Sequence, residues 1–380
     1  MPPVTLIHAI DFGQRGNAQG FKGAGWGQQE ADYSLVAGPI AQLDVPEVPQ
    51  ACATGIVFSV GLTRSGAAVA GRVLAVLVNG ERLARVTVRN DTVFAVTVPA
   101  CGEAGRLRVD LRLQGGGKER GGPQPKLGRP EVKVFTAWVF AVHEPFVAET
   151  TLFDRVIHKS FVTNVAADAW RATGLKSDRL LEEFASLGHT CDFGLVQRDF
   201  GVSALGLLRF AAIETPDLVR GLVDSFDGLG EAASLRIRVP PGAGEYWVEE
   251  KVYGMHLHTQ TAPSDASAQQ VLDRMVMYMQ FTKRTFIEDL QLGRKIYLLR
   301  RHDAVSAEEA MAVWLALNCH GKNWLLVVAQ SRDVPAGTVV KLGPRLLLGH
   351  IDGVAETVPP SKMAWLAMCA NAFLARREAG

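Results

Sequence analysis

The feature that most constrains this chain is a change of period near residue 143. Before it, apolar residues alternate or run in short Val-rich stretches: "TGIVFSVGL", "GRVLAVLVNGERLARVTV", "DTVFAVTVP" and "GRLRVDLRLQ". None of these carries a helical period, and Gly, Pro and Asn-Gly separate them. Asn79-Gly80 supplies the residue pair that accepts the positive φ angles of a tight two-residue hairpin. Short strands at regular spacing predict an antiparallel β-sandwich over residues 1–143. "QGGGKERGGPQPKLGRP" (114–130) is too rich in Gly and Pro for a central strand and predicts a loop before the last strand, "VKVFTAWVFAV".

Beyond His143 the period becomes helical. Residues 144–185 read as helical with a break at Gly174, either a connector or the first layer of the second domain. Residues 186–380 then alternate helices with strands, an α/β or α+β domain. Helices are predicted at 192–200, 216–226, 267–292, 306–320 and 361–376, and strands at 234–239, 245–250, 253–259, 295–300, 323–329 and 345–351. The helix over 267–292 has the clearest boundaries: Ser267 and Gln270 form a capping box, and Gly293 stands at the position after the last turn. At 380 residues the chain is long enough for two such domains.

Composition excludes several classes of function. The net charge is +1, so no global field draws the chain to nucleic acid or to anionic lipid. No run of about 18 apolar residues exists for a membrane span. The start, "MPPVTLIHAIDFG", has no basic head and apolar core of a signal peptide. Five scattered cysteines, 52, 101, 191, 319 and 369, odd in number and never in a CxxC, fit reduced thiols in a cytoplasm.

Cys191, in "SLGHTCDFGLVQRDFG", opens a predicted helix just after the turn-forming Gly188. A thiol there feels the positive helix end, and unpaired N–H groups beside it offer an oxyanion site. Asp192 opposes this, since a neighbouring anion favours the protonated thiol. Inert packing is the alternative, as free cysteine is among the most buried residue types. In "YGMHLHT" the i, i+2 spacing puts His256 and His258 on one strand face, from which an imidazole can serve as base. Asp352 in "LLLGHID" follows an apolar strand and is a candidate to orient that imidazole, with Asp303 competing.

A metal is not expected: His-x-His supplies two ligands, and no HExxH or CxxC adds more. His320 suits a helix C-terminus. "GAGWGQQE" (23–30) fails the GxGxxG pattern, and no Walker A sequence is present, so no nucleotide cofactor is expected. Trp26 and Tyr33 are candidates either to stack on a sugar or to cap the sandwich core.

Two family resemblances follow from these motifs. Residues 186–375, through "SLGHTCDFGLVQRDFG", "ALGLLRF", "YGMHLHT", "RRHD", "NWLLVV", "LLLGHID" and the Trp365 helix, resemble a bacterial family of uncharacterised papain-like cysteine peptidase domains. The resemblance implies Cys191 as nucleophile, His258 as base and Asp352 as third member. Arg209, in "LRF", stands where many relatives carry a Phe-Asp-Trp-like motif; it changes the local electrostatics and joins the candidate substrate contacts. Residues 8–142, through "DFGQRGNAQGFKGAGWGQQE" and "VNGERL", resemble β-sandwich modules beside bacterial glycosyltransferases, which implies a glycan or glycoconjugate partner met through Trp26 and Tyr33. Together they imply a cysteine hydrolase or acyl/amide transferase in surface-polysaccharide biosynthesis, or a non-catalytic glycan-binding scaffold there.

Overall fold

The computed structural model describes residues 2–37, 39–49, 51–63, 71–88, 90–100, 105–114, 131–144, 169–331, 333–352 and 361–379. The chain divides into two compact units, Pro3–Phe146 and Val147–Gly380, the second including Met1–Pro2.

The first unit is the expected antiparallel sandwich. Its strands are β1 (Val4–Asp11), β2 (Trp26–Gln29), β3 (Ser34–Val36), β4 (Ile40–Pro46), β5 (Ala53–Leu62), β6 (Arg72–Val78), β7 (Glu81–Val88), β8 (Thr92–Val98), β9 (Arg106–Gln114) and β10 (Val132–Val142). One sheet runs β2-β3-β10-β5-β8, with β1 also paired to β10; the other runs β4-β9-β6-β7. Ile56, Phe58, Val76, Phe94 and Leu111 meet in the core, with the Phe58 and Phe94 rings stacked at 5.4 Å. On β10, Val132 and Val134 belong to this core. A bulge between Val134 and Thr136 then shifts the phase, and Ala137 and Val139 carry the core onward. Asn79 and Gly80 have φ of 49° and 87°, the two positive values that the turn between β6 and β7 requires. The Asn79 side chain also accepts the Arg108 N–H at 2.9 Å, which ties the turn to β9. The loop expected at 114–130 lies, beyond Gln114, outside the described residues.

The second unit is mixed α/β. Its elements are α1 (Ala169–Ala172), α2 (Ser177–Glu182), β11 (Phe184–Ser186), α3 (Asp192–Asp199), β12 (Ala211–Ala212), α4 (Thr215–Val223), β13 (Leu235–Arg238), β14 (Trp247–Glu250), β15 (Met255–His258), α5 (Ala268–Leu292), β16 (Ile296–Arg300), α6 (Ala307–Asn318), β17 (Trp324–Gln330), β18 (Val339–Gly343), β19 (Leu346–Ile351) and α7 (Lys362–Ala379). A five-stranded sheet has the order β11-β16-β17-β19-β18, parallel except for the edge strand β18. Phe184, Leu298, Leu326 and Leu347 of this sheet pack with Phe193 of α3 and Trp365 and Met368 of α7. The apolar helix α6 is buried along most of its length and packs on β17 and α4. A smaller antiparallel sheet runs β12-β15-β14-β13. The capping box at Ser267 forms with both of its hydrogen bonds, and Gly293 takes the left-handed conformation that ends α5.

Beyond residue 144, the described part of 144–185 packs with the second unit. Gly174 does break the chain between α1 and α2, with φ of 73°. Leu180 and Leu181 of α2 and Phe184 of β11 are core residues of the second unit, so this stretch is part of the α/β fold. Its residues 145–168 lie outside the described residues. Strands β11, β12 and β18 were not legible in the period. Among the described residues no helix is long and apolar enough to cross a membrane.

Candidate functional site

The candidate site begins where β11 ends. Leu187 still donates to Leu298 O at 2.9 Å, after which the chain leaves the sheet. Gly188 then turns with φ of 85°; a Cβ there would lie 2.8 Å from Ile213 Cγ2, so the turn needs glycine for both reasons. The next residue, His189, also has positive φ, 71°, a conformation that costs a non-glycine residue energy and occurs often at functional sites. Thr190 is buried and Cys191 is the N-cap of α3, its carbonyl accepting from Leu195 N at 2.9 Å.

Two arginines from the end of β16 frame this turn. Arg300, almost fully buried, forms an ion pair with Asp192, lies 3.4 Å from Thr190 Oγ1 and passes over the Trp365 ring. The pair fixes the first turn of α3 against the sheet, and with it the Cys191 backbone. Arg301 donates to Thr215 Oγ1 at 2.8 Å and to Glu309 at 2.5 Å, and reaches Glu214 at 3.7 Å. His189 Nδ1 lies 3.8 Å from Glu214, and its ring centroid is 5.7 Å from that of His302. The region beyond the carboxyl ends of the adjacent parallel strands β11 and β16 thus gathers a thiol, two imidazoles, two arginines and the carboxylates of Asp192, Glu214 and Glu309. Ligands of open α/β sheets bind at such strand ends.

The electrostatics at Cys191 oppose spontaneous ionisation. Burial pushes the thiol pKa up, and Asp192 adds to the shift. Burial likewise holds the His189 imidazole below its ordinary value, against a smaller upward pull from Glu214. Resting Cys191 is therefore a thiol, and reaction at neutral pH requires a base to take its proton.

Cys191, His258 and Asp352 stand on separate elements, and no hydrogen bond joins them. Among the described residues the Cys191 Sγ has no hydrogen-bond partner at all. His258, on β15, places Nδ1 2.7 Å from Glu245 Oε1 and its ring 4.2 Å from that of Trp247. Glu245 also accepts the Gln260 N–H at 2.6 Å. The carboxylate on His258 is therefore Glu245, which the sequence reading did not select. Asp352 instead accepts the Ser361 N–H at 2.7 Å, next to the start of α7, and acts as an anchor for that helix. Asp303 is exposed. The signal for Glu245 lay in the β14–β15 hairpin, whose register sets Trp247 opposite His258 and so brings residue 245 beside it. His256, on the same exposed face, is opposite Ala212 and Glu249.

The remaining candidates separate into structural and accessible groups. Trp26 packs against the sandwich core. Its indole N–H donates to Gln42 O at 2.6 Å, Phe12 lies against it at 4.9 Å and Lys22 sits over its ring. Tyr33 stays half-exposed, edge-on to Phe135 at 5.9 Å, with the Lys133 ammonium 4.5 Å from its ring centroid. Arg209 is buried and donates to the carbonyls of Ala204, Gly194 and Val202. His320, past the end of α6, has its Nε2 2.6 Å from Leu222 O of α4 and meets no side-chain partner among the described residues. No group of three or more metal-ligating side chains occurs among the described residues.

No protein-family model matches the chain, and no curated protein matches it. Solved structures align with about a third of it, among them carbohydrate-binding modules that match the N-terminal sandwich. Latent dimeric PorU from Porphyromonas gingivalis aligns over 37% of this chain and 13% of its own, at 11% identity and a TM-score of 0.25. The carbohydrate-binding module CBM36, solved with calcium and xylotriose, aligns over 35% of this chain and 99% of its own, at 11% identity and a TM-score of 0.23. The CBM22-1 xylan-binding domain from Paenibacillus barcinonensis aligns over 38% of this chain and 99% of its own, at 14% identity and a TM-score of 0.23.

Proposed function

We propose that the chain is a cysteine-dependent hydrolase or acyl/amide transferase of a bacterial glycoconjugate or surface-polysaccharide pathway, with its N-terminal sandwich as a glycan-binding module. The observation that carries the catalytic part is the place of Cys191. It is the N-cap of α3 at the carboxyl end of a parallel strand, beside first-turn N–H groups that lack intrahelical partners. The papain-like sequence resemblance adds His258 as base, and Glu245 on Nδ1 leaves Nε2 as the nitrogen that accepts a proton. In that reading His258 Nε2 takes the Cys191 proton as the sulfur bonds to an acyl carbon, and α3 N–H groups hold the oxyanion. The protonated imidazole then gives its proton to the leaving amine or alcohol, and water or an acceptor hydroxyl or amine cleaves the thioester. The glycan part rests on the sequence resemblance of residues 8–142 and on the accessible Tyr33–Phe135 pair.

A second reading, a non-catalytic glycan-binding scaffold, is favoured by one observation: the Cys191 thiol is shifted upward and unbonded. Alkylation by iodoacetamide, followed by mass spectrometry in wild type, His258→Ala and a Cys191→Ala control, decides between them. The catalytic reading expects Cys191 to react more slowly near neutral pH when His258 is removed. Equal rates in both proteins favour the scaffold.

A further inference from the structure

A pocket of about 340 Å³, partly open to solvent, lies between β11, the segment 204–209 and α5. That volume is at the small end of the range for ligand pockets, about 300–1,000 Å³. Phe184, Leu208 and Phe286 line it with apolar surface, and Leu205 and Phe281 stand at its wall with 61% and 50% of their surfaces exposed. Two large apolar side chains left in water beside an apolar cavity are the mark of an entrance for an apolar ligand. Tyr278 Oη donates to Gly206 O at 2.9 Å and pins the segment to α5.

Neither cation of the lining, Arg209 or Lys295, has a carboxylate partner among the described residues, and Arg209 is the buried one. Arg209 is only 9% exposed, and its donors reach three backbone carbonyls and no carboxylate. Its Nε–H is buried without any partner. The carboxylates of the wall are already engaged: Glu182 pairs with Arg179 at 2.8 Å and Asp289 with Arg294 at 3.6 Å. Lys295, the other cation, donates to Glu182 O at 2.5 Å. A buried guanidinium without an anion is costly, and a ligand that supplies one recovers that cost. Burial also draws the Arg209 pKa down, in keeping with an uncompensated charge.

We propose that this cavity binds a medium-length aliphatic carboxylate, its chain against Phe184, Leu208 and Phe286 and its carboxylate on Arg209. The site is separate from the chemistry proposed for Cys191 and does not depend on it. Calorimetric titration of the full chain with decanoate, decanol and acetate tests it. Decanoate is expected to bind saturably, decanol at least about tenfold more weakly through loss of the charged hydrogen bond, and acetate not measurably. Leu205→Asp and Phe281→Asp, both at exposed positions, are expected to keep the wild-type melting temperature and to weaken decanoate. Arg209→Met is expected to bring decanoate down to the affinity of decanol. Absence of saturable decanoate binding, equal binding of decanol, or unchanged binding in the two wall variants overturns the proposal, and these hold even if Arg209→Met fails to fold.

Discussion

Arg300 at the end of β16 and Asp192 at the start of α3 form an ion pair, and this pair seats the Cys191 turn on the parallel sheet. Arg300 is almost wholly buried whereas Asp192 keeps about a third of its side chain exposed. The two ends are therefore unequal. Arg300→Met frees Asp192 to turn toward water, so its cost is expected near the low end for a broken buried pair, roughly 3 kcal/mol. Urea unfolding measures it. Asp192→Asn removes an anion that helps hold the Cys191 thiol protonated, so the pH profile of alkylation is expected to move to lower pH. An unmoved profile would mean that Asp192 does not govern the thiol.

His350 is a second buried polar residue, with neither ring nitrogen hydrogen-bonded. Its backbone N–H donates to Thr338 O at 2.9 Å, while the imidazole sits in the interior of β19. Burial holds its pKa below the ordinary value. The unfolded chain then binds more protons than the folded one as the pH falls through about 6.5, so stability is lost toward acid. His189 and His320 are shifted in the same direction, in each case chiefly by burial. His350→Leu is expected to gain about 1 kcal/mol at neutral pH by removing unsatisfied polar atoms, and more at about pH 5.5. Melting temperatures at the two pH values check both the sign and the trend.

Local chemistry explains which elements were legible in the sequence. Asn79-Gly80 set a hairpin, Ser267 and Gln270 set a helix start, and Gly293 set its end, because each acts within a few residues. β11 was not legible. It is three residues long, follows α2 directly and is held by pairing with β16, far along the chain. Cys191 and His258 were visible as residue types in suggestive places. Glu245 and Arg300 were not, because their roles arise from a hairpin register and a parallel strand pairing. Asp352 had the right strand-end position, but its oxygen is used by Ser361.

Glu245 should determine the tautomer of His258. With Nδ1 at 2.7 Å from a carboxylate, the neutral imidazole carries its proton on Nδ1 and leaves Nε2 bare. Nitrogen NMR of the imidazoles, with His258→Gln to assign the signal, reads the tautomer directly. Glu245→Gln is expected to shift His258 toward a mixture with the Nε2–H form. If Cys191 uses this base, the same variant slows Cys191 alkylation near neutral pH, whereas Asp352→Asn leaves it unchanged. The opposite ranking would return the orienting role to Asp352.

The sandwich offers a clean separation between support and contact. Trp26 is packed against Phe12 and hydrogen-bonded to Gln42 O, so Trp26→Ala is expected to cost about 3 kcal/mol, low in the range for such truncations because the ring is only partly buried. Tyr33 and Phe135 meet edge-on and remain half-exposed, with Lys133 beside them. Their alanine variants are expected to change stability by no more than about 1 kcal/mol. An aromatic face with a nearby ammonium suits a sugar that carries an acidic group, since the ring packs on C–H surface and the cation meets the anion. If the sandwich is the proposed glycan-binding module, then on an array of neutral and uronic-acid glycans Tyr33→Ala and Phe135→Ala lose retention while remaining folded, and Lys133→Gln loses the acidic glycans selectively. If Trp26→Ala abolishes retention while the melting temperature stays unchanged, the contact surface lies at Trp26 instead.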